Sequence, residues 1–233
     1  MKNLLFLVIL ISLPAMAQLT NESEISLIQS GGNAEAQTSN AKTTNTYKWD
    51  KYSALFGGHY TYGENADNVS VRNWDINAKS ERELTPKFSL VLGEIIEGNR
   101  FTDIKARYNT DFGVKYYYDK SDQLNFFSEV TYRYTIEDRY SDIGNTYDHK
   151  ARLYNEYDRK YSETLQYKFL LEYIPNFSDG HDYLINGEVS LTAILNTQFS
   201  LKVAYRGMYD NSPANPAFKN YDYLTTTALV AKF

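Results

Sequence analysis

Long segments in which apolar and polar side chains alternate residue by residue constrain this chain most strongly. Alternation with a period of two predicts a β-strand with two chemically different faces. It is clearest at the end of the chain, where one face carries Tyr221, Tyr223, Thr225, Thr227, Leu229, Ala231 and Phe233. The same pattern recurs in three earlier segments, residues 199–206, 165–173 and 124–135. The sequence therefore predicts an all-β protein.

The length of these segments distinguishes two ways of using such strands. A soluble sandwich buries the apolar face, whereas a membrane barrel turns that face to lipid and the polar face to the lumen. The segments run for roughly 9 to 15 residues, longer than the usual strand of about 5 to 6 residues and close to the roughly 9 to 11 that cross a bilayer. Segment length favours the membrane barrel.

The connections between the segments alternate between short and long, as in bacterial outer-membrane barrels. Short turns are predicted at 49–51, 84–87, 119–122, 159–162 and 195–197, with one more tight turn at 31–33. The generally longer connections are Gly63–Asn68, Glu97–Asp103, Asp138–Asp148, Asn176–Asp182 and Asp210–Asn220. We predict a transmembrane antiparallel up-and-down β-barrel of about 12 strands, with 10 or 14 as alternatives, and both termini in the periplasm. Residues 33–46 are either a linker or the second strand.

The first 17 residues have the pattern of a secretory signal peptide. Lys2 precedes an apolar run from Leu4 to Leu13, and Ala15-Met16-Ala17 is a small-residue cleavage sequence. We therefore expect cleavage after Ala17, a single barrel domain over 18–233, and a location in the bacterial outer membrane. The 22 Tyr residues suit the aromatic girdles of such barrels, and 0 Cys excludes disulfides.

The terminal Phe233 ends an alternating strand, and we interpret it as the insertion signal recognised by the barrel-assembly machinery. Further expected partners are outer-membrane lipid and lipopolysaccharide. The net charge of −5 argues against nucleic-acid binding, which requires a basic surface.

The polar faces of the predicted strands carry charges of both signs in nearly equal number. The candidate lumen-lining residues are Lys105, Arg107, Asp111, Lys115, Glu129, Arg133, Arg152, Glu156, Lys168, Glu172, Glu188, Lys202 and Arg206, with Glu137 and Asp158 on the same faces. A pore for an anionic oligosaccharide requires a ladder of one sign, which this set does not form. Balanced charges fit either a filled, salt-bridged interior or a narrow polar channel.

Several segments resemble the salt-induced outer-membrane protein family, whose domain has no assigned function. The resemblance rests on Glu24-Ile25-Ser26-Leu27, on Ser30-Gly31-Gly32-Asn33-Ala34-Glu35, on Phe112-Gly113-Val114-Lys115-Tyr116-Tyr117, and on the terminal aromatic strand. It covers nearly the whole chain after the signal peptide. The resemblance implies an outer-membrane β-barrel and supplies no catalytic residues.

Catalytic and metal-binding patterns are sparse. The three His residues are His59, in a strand, and His149 and His181, each beside an Asp. An Asp/His pair at the barrel rim would suit a hydrolase, and a solvated turn is the simpler interpretation. The acidic segment Asp138–Asp148 either binds divalent cations or is a solvated loop, since regular calcium-loop spacing is absent. We predict no cofactor, metal or catalytic site.

The leading functional hypothesis is a non-enzymatic outer-membrane barrel, either a structural envelope component or a narrow channel for small polar solutes. One alternative is an outer-membrane hydrolase that uses His149 or His181. The other is a binding or adhesion module whose loop Asp210–Asn220, with Pro213, Pro216 and Phe218, contacts a partner.

Overall fold

Twelve β-strands make up most of the residues that the computed structural model describes, which are 18–31, 36–65, 68–141, 144–213 and 218–233. The predicted signal peptide, residues 1–17, lies outside the described residues. In chain order the strands are β1 Gln18–Gly31, β2 Ala36–Trp49, β3 Tyr52–Asn65, β4 Asn68–Thr85, β5 Phe88–Asn99, β6 Ile104–Lys120, β7 Leu124–Arg139, β8 Thr146–Lys160, β9 Leu165–Pro175, β10 Tyr183–Ile194, β11 Phe199–Asp210 and β12 Tyr221–Lys232. Within these ranges no helix has the length and apolarity needed to span a membrane.

Each strand pairs antiparallel with the next, and β12 pairs with β1 to close the barrel. Phe233 completes this seam through its backbone, donating to the Asn21 carbonyl at 2.9 Å and accepting from the Asn21 amide at 2.7 Å. Closure leaves no strand edge unpaired, as a membrane-spanning sheet requires. The predicted fold class and the count of twelve strands are confirmed.

The two ends of the barrel differ in their connections. At the turn end, where β1 begins and β12 ends, strands are joined by 50–51, 86–87, 121–123, 161–164 and 195–198. These five turns lie where the sequence predicts them. The opposite end, here called the loop end, carries longer connections such as 176–182 and 211–220. Of the predicted turn at 31–33, residue 31 ends β1, and 32–33 lie outside the described residues.

Some segments that the sequence assigns to connections are strand. Glu64 pairs with Val69 and Asn65 with Asn68, so the predicted loop Gly63–Asn68 is wrong for all but 66–67, which are not described. The predicted loop Glu97–Asp103 likewise loses its first three residues to β5. Residues 36–46 belong to β2, so the linker alternative for 33–46 is also wrong. The polar composition of these segments led to the wrong prediction of loops. Paired strands hydrogen-bond through their backbone N–H and C=O groups, and they do so whether their side chains are polar or apolar.

The outer surface of the barrel has the three-zone pattern of a membrane protein. Near mid-height, exposed side chains from nearly every strand are aliphatic or aromatic: Ile25, Phe56, Ile76, Leu92, Phe112, Val130, Leu153, Phe169, Val189, Val203 and Leu229. Towards the turn end, ring contacts run in series through Phe88, Tyr116, Tyr118, Phe126, Tyr157, Tyr167 and Phe169. Towards the loop end, Tyr173, Tyr183 and Tyr209 contact one another in the same way. Such girdles mark the two membrane interfaces.

Gly113 in β6 lies where the neighbouring strand β7 approaches closely. A Cβ atom at this position would overlap the Val130 carbonyl oxygen and lie 2.6 Å from the Thr131 Cα. We expect Gly113→Ala to lower the free energy of unfolding by about 1–3 kcal/mol, because backbone atoms cannot move aside as a side chain can. The matched control is Gly187→Ala, whose Cβ would have its nearest neighbour at 3.9 Å. Urea unfolding of both variants checks this, and equal losses would contradict it.

Candidate functional site in the barrel interior

Polar side chains occupy the inner face of the barrel wall. On each strand they alternate with the exposed apolar residues, and in a closed barrel the two sets face opposite sides. Many of them are buried: Glu24, Ser26, Thr38, Thr61, Ser89, Asn109, Asp111, Lys115, Glu129, Thr131, Arg133, Thr135, Glu137, Lys150, Ser190 and Ser200. The interior is therefore the best candidate for a functional site.

Glu129 on β7 is the centre of the largest group of charges. It is only 1% exposed, and three cations approach its carboxylate. Lys79 of β4 donates to Oε1, Lys115 of β6 lies 3.6 Å from the same oxygen, and Arg152 of β8 donates to Oε2 at 3.1 Å. Arg152 also pairs with Glu172 of β9. We call these five residues, with Glu81, the ionic cluster, since Glu81 accepts from Lys115 at 3.1 Å.

Two further groups of charges extend the ionic cluster towards the loop end. Arg133 and Asp111 form a bidentate pair with both N···O distances at 2.7 Å, and both residues are buried. Arg107 bridges Glu137 and Glu97, the latter at 3.3 Å. Planar, bidentate geometry of this kind fixes side chains more rigidly than a single contact does. Strands β4 to β9 thus carry a continuous layer of paired, long side chains on their inner face.

Two glycines clear space for this layer. Lys79 pairs in register with Gly93, and Gly93 with Asp111, so the Lys79 side chain passes a position without a side chain on β5. In the adjacent row, Val91 pairs with Gly113 and Gly113 with Thr131. The ammonium group of Lys79 can therefore reach Glu129 three strands away.

The opposite wall, formed by β10 to β12 with β1 to β3, carries several small inner side chains and is here called the small-residue wall, and it also holds the charged group of Glu24, Glu188 and Lys202. The small side chains include Ser190, Ser200, Ala204, Ala228, Ser26 and Thr61. Two inner cations on this wall, Lys42 of β2 and Arg206 of β11, are exposed to solvent although they lie near the middle of their strands. Solvent-accessible space therefore reaches the Lys42 and Arg206 side chains inside the barrel, while the ionic cluster occupies the inner face of β4 to β9.

The structure places the predicted lumen-lining residues as follows. Arg107, Asp111, Lys115, Glu129, Arg133, Arg152 and Glu172 belong to the layer just described. Lys168 pairs with Glu156 at 3.0 Å, and Lys202 lies between Glu24 at 3.2 Å and Glu188 at 4.0 Å. Arg206 lies directly across from Glu188 on the neighbouring strand. Lys105 differs from the others, because it lies in a bulge near the loop end, is more than half exposed, and pairs with Asp138 at 3.0 Å.

The sequence interpretation missed Lys79 and Glu81, two members of the ionic cluster. Their strand does carry the alternation, since Asn73, Asp75, Asn77, Lys79, Glu81 and Glu83 occupy every second position. The opposite face of this strand is only partly apolar, with Arg72, Ser80 and Arg82, so the pattern is weak. Glu24 was missed for a similar reason in the polar strand β1.

The histidines do not assemble the hydrolase site considered from sequence. His149 contacts the Tyr132 hydroxyl and the Tyr134 ring on the outer side of the barrel. His181 is almost fully exposed, 3.7 Å from Asp179. His59 instead faces inward, where Nδ1 pairs with Asp75 and Nε2 lies 3.0 Å from the Asn73 side chain. Within the described ranges no Ser, Thr or Cys side chain hydrogen-bonds to any of these rings.

The loops considered as binding elements are only partly described. In the acidic segment, Asp138 pairs with Lys105 and Asp148 lies 3.8 Å from Lys150, and 142–143 are not described. Among the described residues, no three His, Asp or Glu side chains are grouped to hold a metal ion. In the loop Asp210–Asn220, the Asn211 side chain donates to the His181 carbonyl at 2.7 Å. Residues 214–217 of this loop, including Pro216, are not described.

Comparison with known sequences gives one family. The profile described as a protein of unknown function, DUF481, matches residues 23–233. The chain belongs to this family. Membership in DUF481 accounts for the resemblance noted in the sequence, although the match carries no reference to salt. No curated protein sequence matches the chain.

Comparison with solved structures finds the same barrel fold in porins. The NanC porin superposes with a TM-score of 0.62 and 11% identity, over 90% of this chain and 98% of that one. The KdgM porin superposes with a TM-score of 0.55 and 11% identity, over 90% of this chain and 99% of that one. At this identity the likeness concerns the barrel alone.

Proposed function

We propose that this DUF481 protein is a narrow, water-filled channel that lets small polar solutes cross the outer membrane. The observation that carries the proposal is the unequal division of the interior. Long, paired charges are most numerous on β4 to β9, whereas the other half combines buried small side chains and one charged group around Lys202 with the solvent-accessible Lys42 and Arg206.

The size of the barrel supports the same proposal. Barrels of about 8 strands are filled by their own side chains, whereas those of about 16 leave a wide aqueous pore. With twelve strands, the width of the path depends on the inner side chains rather than on the backbone. The ionic cluster and the Arg133–Asp111 pair narrow it near mid-height, which suits passage of small solutes only. The porin neighbours make a channel role reasonable, although they share only the fold.

Neither a hydrolase nor a purely structural barrel is supported by an equally specific observation. The outward direction of His149 and the isolation of His181 give a hydrolase no assembled site. A purely structural barrel does not require accessible charged side chains at mid-height, where apolar packing would be more stabilising. We therefore favour the non-enzymatic channel.

Planar bilayer recordings of the purified protein test the proposal directly. We expect discrete conductance steps that are small compared with those of wide porins, because the ionic cluster occupies part of the cross-section. Protein whose barrel has been unfolded by heating in detergent is the control, and it should give no steps. A folded barrel that gives no current above background at any voltage would exclude the channel.

A further inference from the structure

Two cations near the middle of the barrel interior have no ionic partner within the described residues. Lys42 on β2 and Arg206 on β11 project inward, and both side chains are exposed to solvent. Neither forms an ion pair or a side-chain hydrogen bond with any residue in the described ranges. By contrast, Lys115 and Arg152 of the ionic cluster are largely buried and are paired with carboxylates.

Lys202 on β11 accounts for the lack of partners. The carboxylates nearest in register to the two exposed cations are Glu24, which pairs with Lys42, and Glu188, which pairs with Arg206. Lys202 lies 3.2 Å from Glu24 and 4.0 Å from Glu188. Because both carboxylates share Lys202, the two exposed cations are left without a counter-charge.

The small-residue wall therefore carries an excess of positive charge. Its central group has three cations, Lys42, Lys202 and Arg206, and two carboxylates, Glu24 and Glu188. In the ionic cluster on the other wall, three cations meet three carboxylates. The charges of the ionic cluster cancel, so the excess of one positive charge belongs to the small-residue wall.

Solvent exposure adds to this imbalance. The carboxylates of Glu129, Glu81 and Glu172 are 1%, 14% and 12% exposed, whereas the Lys79 side chain is 33% exposed. The ionic cluster thus turns an ammonium group, rather than its acidic oxygens, towards the lumen. A solute in the lumen meets accessible positive charge on both walls.

Inner carboxylates that are more accessible are also engaged by donors. Glu97 accepts from Arg107 at 3.3 Å and from Asn109 at 3.1 Å. Asp75 pairs with His59 and accepts from Asn77 at 2.8 Å. Their negative charge is therefore compensated locally, unlike the positive charge of the two exposed cations.

The chemistry of the two exposed side chains indicates the class of solute. Guanidinium and ammonium groups bind carboxylate and phosphate oxygens through charge-assisted hydrogen bonds. Positive charge on the wall of a narrow pore raises the local concentration of anions and favours their passage. Building on the channel function proposed above, we propose that Lys42 and Arg206 select small anionic solutes that carry carboxylate or phosphate groups. Two accessible cations do not make the ladder that a long anionic oligosaccharide requires, so the solutes are small.

The reversal potential of the purified protein in planar bilayers tests the selectivity. We would use a potassium chloride gradient from roughly 0.01 M to 0.1 M, because higher salt screens the lumen charges. We expect chloride to be several-fold more permeant than potassium. Chloride on one side would then be replaced by acetate in one arm and by phosphate in the other. Anion current in at least one arm supports the proposal and identifies the preferred group, and current in neither arm overturns it.

A double variant locates the selectivity. Lys42→Gln with Arg206→Gln should lose the preference for chloride, because the remaining central group of the small-residue wall has one cation and two carboxylates. The matched control is Arg72→Gln with Arg82→Gln, which removes the same charge from the outer face of β4 and should keep the preference. The gel shift on heating confirms that each variant is folded before recording.

The outcomes separate this inference from the channel itself. A folded barrel without any conductance removes the channel and the inference together. A conducting barrel with no preference for anions, or with a preference for potassium, overturns the anion selectivity alone, and the unmodified protein is sufficient for this result. An unchanged preference in the folded Lys42→Gln, Arg206→Gln variant, or an equal loss in the control, contradicts the roles of these two residues.

Discussion

Replacing Glu129 by glutamine should lower the free energy of unfolding by about 3–5 kcal/mol, the cost of breaking a buried ion pair. Glu129 is 1% exposed and is the shared partner of Lys79, Lys115 and Arg152, so its charge balances the ionic cluster together with those of Glu81 and Glu172. Its amide replacement keeps the shape of the side chain but leaves buried positive charge without compensation. Urea unfolding in lipid vesicles, followed by tyrosine and tryptophan fluorescence, measures the change.

The control for this experiment is Glu22→Gln near the barrel seam. Glu22 pairs with Lys232 at 2.9 Å, but both side chains are more than 40% exposed. An exposed pair of this kind contributes about 0–1 kcal/mol, so little change is expected. Adding Lys79→Met to Glu129→Gln should recover part of the loss, because one uncompensated charge is removed. Equal losses for Glu129→Gln and Glu22→Gln, or no recovery, would show that the ionic cluster contributes little to stability.

The barrel was predictable from sequence because strands that face lipid on one side and the lumen on the other alternate between apolar and polar residues. A strand such as β11 is apolar on its outer side and mostly polar on its inner side over nearly its whole length, so its alternation is unambiguous. Tight turns at the turn end add a second, independent signal. Strand β2 is the exception, because its outward face is polar and its alternation disappears.

Partners inside the barrel were less predictable than the residues that line it. Alternation identifies Glu129, Arg133 and Arg152 as inner residues, but it does not specify how neighbouring strands are aligned. Lys79 and Glu129 are 50 positions apart and lie on strands that do not touch. Their contact depends on the register of three strand pairs and on Gly93 between them. The sequence alone therefore predicts a balanced interior, and the structure is needed to find its centre.

Removing the Asp111–Arg133 pair should widen the channel. In the double variant Asp111→Ala with Arg133→Ala, two buried side chains that project into the interior disappear, and no charge is left uncompensated. We expect the single-channel conductance to rise several-fold, because these two side chains occupy part of the cross-section of the barrel interior. Loss of a whole ion pair should cost less stability than loss of one partner, so the barrel should remain folded.

Conductance of this double variant must be compared with that of a charge-neutral change away from mid-height. Glu22→Ala with Lys232→Ala removes an exposed pair near the turn end, and its conductance should stay close to that of the unmodified protein. The gel shift on heating confirms that both variants are folded before recording. If the Asp111→Ala, Arg133→Ala barrel is folded and its conductance is unchanged, the charged layer on β4 to β9 does not set the width of the channel. The small-residue wall would then be the place to seek the constriction.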